Sequence, residues 1–435
     1  IPSIAALPEH AKDVQRAAVW LKERMSEAGI ENVEVMDTGG QPAVYGDWMH
    51  AGNGKPTALI YGHFDVQPVD PVELWDHDPF VPTIKDEKIF ARGASDDKGS
   101  MFIPIIVFEA IYKSGGSFPF NIKFLFEGEE EIASPKMPEF VSSNVDKLKC
   151  DMIFSADGGQ FSEDEPNLAV GFKGILGFDI EVVGPETDKH SGLFGAAIAN
   201  PIMALTQLLS SMKNSDGEIT IDGFYDEVVP LNDEDKAEIA RVPFNEDQYL
   251  KLTGSVGLDG EAGYTAPERI GARPTLDING IWGGYQGVGT KTVLPSRANA
   301  KITCRLVANQ KPKEILKKIE KHVKKFLPNG VIGKVIPLQD EGDPLLIPEN
   351  HRSTEVARDV LKKVYGKDPY MIRVGGSIPI LSAFYKYLGI HATMFAFQLD
   401  DENWHAPNEF FRLSSFYKGQ EAYRQLFHKI GSLSS

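Results

Sequence analysis

Short apolar runs that end in acidic or histidine residues recur along this chain, and that recurrence limits the fold more than any other feature. The first run is Thr57-Ala58-Leu59-Ile60, followed by Tyr61-Gly62-His63-Phe64-Asp65-Val66-Gln67-Pro68. It reads as a buried strand whose end carries a histidine and a carboxylate two residues apart. Side chains alternate along extended chain, so His63 and Asp65 share one direction. An imidazole with a carboxylate beside it is the arrangement that orients a histidine onto a metal. A strand over 121–126 ends in Glu127-Gly128-Glu129-Glu130-Glu131, and one over 152–155 ends in Ala156-Asp157-Gly158-Gly159. A strand over 392–397 leads to a loop that contains His405, and Phe90-Ala91-Arg92-Gly93 leads into Ser95-Asp96-Asp97-Lys98-Gly99. Apolar spacing predicts helices over 11–28, 100–113, 352–365 and 378–387. Gly29 closes the first, and Pro104 falls in the first turn of the second. Strands alternating with helices, each strand ending in polar residues, form an α/β sheet with its site at the carboxyl ends.

Between 173 and 343 the pattern changes. Strands are predicted over 175–183, 276–282, 298–307 and 331–337. Helices are predicted over 200–212, opened by Asn200-Pro201, and over 313–326. The polar stretch 214–273 reads as a long insertion. Without it the order is β-α-β-β-α-β, the ferredoxin-like arrangement. The expected organisation is a first catalytic segment 1–172, an inserted domain 173–343, and a second catalytic segment 344–435.

Charge and cysteine usage narrow the function. A formal charge of -17 argues against nucleic acid and anionic membrane as partners. Cys150 and Cys304 give no disulfide framework, which favours a reducing cytoplasm. No run approaches the length of a membrane span. The first residue is Ile1, so the native N-terminus is expected upstream.

Five strand ends or loops offer metal ligands: His63 with Asp65, Asp96 with Asp97, Glu130 with Glu131, Asp157, and His405. Each alone is a weak signal, because a lone histidine or a loop carboxylate pair is usually only solvated. Their recurrence at successive strand ends is the signal. Imidazoles and carboxylates without a thiolate suit zinc, manganese or cobalt. More carboxylates than one ion needs indicate an ion pair about 3.5–4 Å apart. A spare carboxylate would then carry the proton.

Gly62–Pro68, Asp96-Asp97-Lys98-Gly99, Glu127–Glu131, His190-Ser191-Gly192, Gly375-Gly376-Ser377-Ile378-Pro379 and His405-Ala406-Pro407-Asn408-Glu409 together resemble the dinuclear-metal peptidases. That family includes carnosinases, cytosolic nonspecific dipeptidases, aminoacylases and desuccinylases. The His-x-Asp-Val-Gln-Pro form, the long insertion and Lys291-Thr292-Val293-Leu294-Pro295 are most similar to the carnosinase and nonspecific-dipeptidase branch. The resemblance implies a mixed-sheet, phosphorylase/hydrolase-like catalytic domain with an inserted ferredoxin-like lid and dimerisation domain. It implies that His63 and Asp157 hold one ion, Glu131 and His405 the other, and Asp96 bridges both, with a cis peptide before Asp97. Asp65 would fix the tautomer of His63. Glu130 would be the general base for a water bridging the ions. Counting Glu-Gly-x-Glu-Glu from Glu127 sets that register and leaves Glu129 without a role. His190 would stabilise the oxyanion in the neighbouring subunit of a homodimer. Arg305 would grip the substrate carboxylate beside Thr292, and Gly376 and Ser377 would line the substrate.

The implied reaction is hydrolysis of dipeptides or short peptides with a free C-terminal carboxylate. Two divalent ions per chain are expected, zinc first, with manganese or cobalt as alternatives. Deacylation of N-acyl amino acids, including desuccinylation, uses the same machinery and stays open. A catalytically silent scaffold is opposed by the complete ligand set, and a one-metal hydrolase is a further rival. His10, His50, His77, His322, His351, His391 and His428 match no motif position.

Overall fold

The computed structural model describes residues 1–348 and 350–433; of the expected segment 344–435, positions 349, 434 and 435 lie outside the described residues. The chain forms two compact units. One comprises Ile1–Val170, Ile347–Met371 and Ile378–Ser435; the other comprises Gly171–Leu346 and Ile372–Ser377.

The first unit is built on a six-stranded mixed sheet. Its spatial order is Glu31–Met36, Ala43–Trp48, Asn121–Glu127, Thr57–His63, Met152–Ser155 and Ala392–Met394. The first two pairings are antiparallel and the other three parallel. Thr57–His63 therefore lies inside the parallel part, and every one of its residues is buried. Helices cover both faces of this strand. Tyr61 stacks edge-on with Phe384 of helix Pro379–Leu388. Its neighbour Gly62 faces the opposite way, toward helix Lys98–Lys113, where an added Cβ would come within 2.7 Å of Met101 and of the Asp97 carboxylate. Only glycine lets that helix approach so closely. Ala11–Ala28 ends at Gly29 in the left-handed conformation, as its sequence predicts. Lys98–Lys113 begins two residues earlier than expected, behind Asp97, so Pro104 lies inside the helix rather than in its first turn.

In the second unit four antiparallel strands lie in the order Thr275–Gly283, Arg297–Leu306, Gly174–Val183, Ile332–Gly342. Helices Pro201–Ser210 and Pro312–Phe326 pack onto them through Leu205, Leu208, Ile315 and Ile319, against Phe178, Ile180, Ala300 and Ile302. This is the ferredoxin-like arrangement. Alternation along Arg297–Leu306 buries Cys304 in this core and turns Arg305 to the other face. The stretch 214–273, read from the sequence only as a polar insertion, contains three short helices: Asp233–Arg241, Glu246–Thr253 and Ala266–Ala272.

Candidate metal centre

The parallel strands deliver side chains to one edge of the first unit. Thr57–His63 ends on His63, its neighbour Asn121–Glu127 leads to Glu130 and Glu131, and Met152–Ser155 leads to Asp157. His63 and Asp65 are fully buried. His63 Nδ1 lies 3.2 Å from the main-chain oxygen of Asp65 and 3.4 Å from its carboxylate. Both are acceptors, so Nδ1 carries the proton and Nε2 is the coordinating nitrogen. The Asp65 carboxylate also accepts the main-chain N–H groups of Glu130 (3.2 Å) and Glu131 (3.1 Å). One buried carboxylate thus orients both the histidine and the acidic turn.

Asp96 lies between the two histidines. Its Oδ1 is 3.0 Å from His63 Nε2 and its Oδ2 is 3.0 Å from His405 Nε2. The Asp96–Asp97 peptide is cis. Asp97 points away, accepting the His63 N–H (3.2 Å) and a hydrogen bond from Gln398 (3.1 Å). His405 Nε2 is also 3.2 Å from Glu131, whose carboxylate accepts a hydrogen bond from Gln67 (2.9 Å). Ligand atoms of His63, Asp96 and Glu131 lie within 4.8 Å of one another, and so do those of His63, Glu130 and Asp157. Glu129 faces elsewhere: its carboxylate accepts the Gln41 N–H at 2.8 Å.

The electrostatics test whether this set fits metal. Burial pushes Asp157 up to about 7, with Asp96 and Glu131 adding to the effect. Burial, then the charge of Asp157, raises Glu130 well above the ordinary carboxylate range. Contacts with Asp96 and Glu131 raise His405 to about 10. Burial alone would depress His63, but Asp65 and Asp96 raise it well above its usual value. The cluster therefore holds more negative charge than its two imidazoles neutralise, and protons take up the excess. Divalent cations would replace those protons. With only nitrogen and oxygen donors, the set fits two such ions and suits zinc or manganese.

The remaining expected site residues belong to the second unit and form two groups. His190 and Thr292 share a short ribbon, in which Lys189–His190 pairs with Val293–Leu294 and the Ser191 N–H donates to the Thr292 carbonyl (3.0 Å). His190 is exposed, and its Nδ1 accepts the Gly192 N–H at 3.1 Å, which leaves Nε2–H as a donor. Arg305 donates to Ser377 Oγ at 3.0 Å. Ser377 in turn donates to the carbonyl of Lys173, and the Gly376 carbonyl accepts the Lys173 N–H at 3.0 Å. Among the described residues Arg305 has no carboxylate partner within 4.0 Å.

Sequence reasoning gave no role to Gln67, which braces Glu131, to Glu402 or Glu409, which hold the Asp96 segment, or to Gln398, which holds the neighbouring Asp97. Gln67 and Glu409 lay inside the motifs themselves, and the hydrogen bonds they make in the fold are the signal that was missing. An apolar cavity of about 490 Å³ lined by Trp20, Phe64, Met101, Phe102, Phe411 and Phe416 contains none of the candidate ligands.

A family model described as peptidase family M20/M25/M40 matches residues 59–429. The chain is 31% identical over 418 residues to the Cys-Gly metallodipeptidase of Schizosaccharomyces pombe, which covers 93% of this chain and 86% of that protein. It is 30% identical over 383 residues to the Beta-Ala-His dipeptidase of Homo sapiens, covering 87% and 76%. Among solved structures, an M20 family metallo-carboxypeptidase of Sulfolobus solfataricus is similar with a TM-score of 0.83 at 30% identity, covering 99% of this chain and 97% of that one.

Proposed function

The chain belongs to peptidase family M20/M25/M40, and from that premise we propose that it cleaves dipeptides or short peptides that end in a free carboxylate. It is a dinuclear-metal hydrolase, and the observation that carries this is Asp96, with one oxygen turned to each of two histidines. His63 and Asp157 would hold one ion, Glu131 and His405 the other, with Asp96 available to both. When bound there, two divalent ions polarise the scissile carbonyl and make water a nucleophile at neutral pH.

The chain's own residues do the rest. Glu130 takes a proton from the attacking water and returns it to the leaving amine. Asp65 holds His63 in the required tautomer and fixes the Glu130–Glu131 turn. His190 donates Nε2–H to the carbonyl oxygen as it gains charge. Arg305, without a carboxylate partner among the described residues, takes the substrate's terminal carboxylate, where a planar guanidinium suits bidentate contact. Thr292, Gly376 and Ser377 line the same substrate.

The sites are shared across a homodimer. Support comes from the edge strand Thr275–Gly283, which exposes Ile278, Ile281 and Trp282. Sedimentation of the purified chain should give a dimer; a monomer at micromolar concentration removes the shared-site reading. Two unpaired cysteines support a cytoplasmic setting, and no helix among the described residues is long and apolar enough to cross a membrane.

Similarity to a metallo-carboxypeptidase structure supports a second reading, removal of single residues from longer peptides. One panel separates the readings. Zinc- or manganese-loaded protein is assayed on Cys-Gly, β-Ala-His, pentapeptides and N-acyl amino acids. Fast turnover of dipeptides alone fits the first reading, and release of C-terminal residues from pentapeptides the second. Hydrolysis of N-acyl amino acids only, or of none of these, overturns both.

A further inference from the structure

His405 is an unusual ligand candidate, because its side chain is about half exposed and its backbone is left-handed at φ +58. Its own loop is closed by the Ala406 N–H on the Asn403 carbonyl (3.0 Å) and by the Asn403 amide on the Asn408 carbonyl (3.2 Å), neither of which reaches the Asp96 segment. The explanation lies in two buried carboxylates that flank it, Glu402 and Glu409, both fully inaccessible to solvent.

Glu409 accepts the main-chain N–H groups of Gly93 (2.9 Å), Ser95 (2.9 Å) and Asp96 (3.0 Å), and an Arg92 guanidinium N–H (2.7 Å). Four donors fill the lone pairs of one carboxylate. Glu402 accepts Ser95 Oγ–H at 2.5 Å, the Leu399 and Arg412 N–H groups, and the Arg412 guanidinium. The Trp404 indole N–H also donates to Ser95 Oγ, at 3.0 Å. The segment that presents His405 is thereby tied, on both sides of the histidine, to the segment that presents Asp96. A buried ion pair that only packed the fold could take its donors from anywhere. Here three of the four donors to Glu409 come from the turn before the metal ligand, and the last is the N–H of Asp96 itself.

We propose that Glu409, seconded by Glu402 through Ser95, is the positioning residue that sets the separation of Asp96 and His405, and so governs affinity for the ion held by Glu131 and His405. This rests on the two-ion reading above. The other ion shares Asp96 with the tied segments but not His405, because His63 and Asp157 follow the parallel strands Thr57–His63 and Met152–Ser155, so it should be affected less.

The test is zinc titration of the metal-stripped full chain against a chelating dye, with melting of the stripped protein measured in parallel. Wild-type protein must show two binding steps; a single step sinks the two-ion reading itself, independently of any variant. A His405→Ala chain identifies which step belongs to the ion at Glu131 and His405. In Glu409→Gln that step should weaken by about 10–100-fold, the usual cost of losing an outer partner of a metal ligand. The other step, which shares only Asp96, should weaken clearly less, with melting of the stripped protein near wild type. Two unchanged steps, or two steps weakened equally, overturn the proposal. Should Glu409→Gln not fold, Ser95→Ala removes only the hydroxyl link to Glu402 and Trp404. A severalfold weakening of the same step supports the proposal, and no change overturns it.

Discussion

The two groups of candidate site residues are held in opposite ways. In the first unit His63 is fully buried and braced by Asp65 and Asp96, and Asp65 in turn braces Glu130 and Glu131. In the second unit His190 is exposed with a single main-chain contact, and Arg305 is held by one hydroxyl. Metal ligands must converge before the ion arrives, and pre-organisation lowers the cost of binding. Groups that meet a substrate must instead be left with unused donors. The difference predicts that changes in the first group alter metal content or the chemical step, whereas changes in the second alter turnover or substrate affinity and leave the metal in place.

The largest effect should come from Glu130, the one member of the first group assigned to the proton rather than to an ion. Glu130→Ala should lower kcat by about 10³-fold or more with metal content unchanged by elemental analysis. Loss of an ion in this variant would move Glu130 into the ligand set and break the comparison from within. His190→Ala should lower kcat by about 10²-fold, again with full metal. Co-expressing it with Glu130→Ala should restore some activity in purified mixed dimers; none in such dimers contradicts a shared site. Arg305→Lys keeps the charge but loses the planar fork, so KM for dipeptides should rise about tenfold or more with a smaller change in kcat. A fall in kcat at constant KM would instead put Arg305 with the chemistry.

The smallest effect concerns imidazoles at opposite ends of two parallel strands of one sheet. His391, just before strand Ala392–Met394, stacks on Tyr385 and meets His351 edge-on, and among the described residues no carboxylate pairs with it. Burial, then the charge of His351, pushes it down to about 4. Between pH 6.5 and 4 the unfolded chain would bind a proton that the folded chain refuses, so stability falls as pH falls through this window. His391→Phe should reduce that acid sensitivity by about 1–2 kcal/mol, the free energy of the shift reduced for solvent screening. Melting at pH 7 and pH 4.5 checks it, and an unaltered difference refutes it. His63, in carboxylate company, is displaced in the other direction.

What the sequence revealed follows from where information sits along the chain. Ligand candidates were legible because apolar runs lead into the turns and loops that carry them, and parallel strands bring several such ends together. The family resemblance was legible from the same short motifs. Helices Asp233–Arg241 and Ala266–Ala272 were missed because each is only about two turns long, too short for a periodic apolar face. Their capping boxes, Asn232 with Asp235 and Thr265 with Glu268, were the available signal. The role of Glu409 could not be read, although the residue stands in one of the motifs. Its partners Arg92, Gly93, Ser95 and Asp96 lie more than 300 residues away in sequence, and only folding makes them neighbours.

Diffraction from zinc-loaded crystals, recorded at the zinc absorption edge, tests the central claim most directly. Two anomalous peaks about 3.5–4 Å apart are expected, one beside His63 and Asp157, the other beside Glu131 and His405, with Asp96 between them. A single peak at full loading, or a pair that does not share Asp96, would contradict the account.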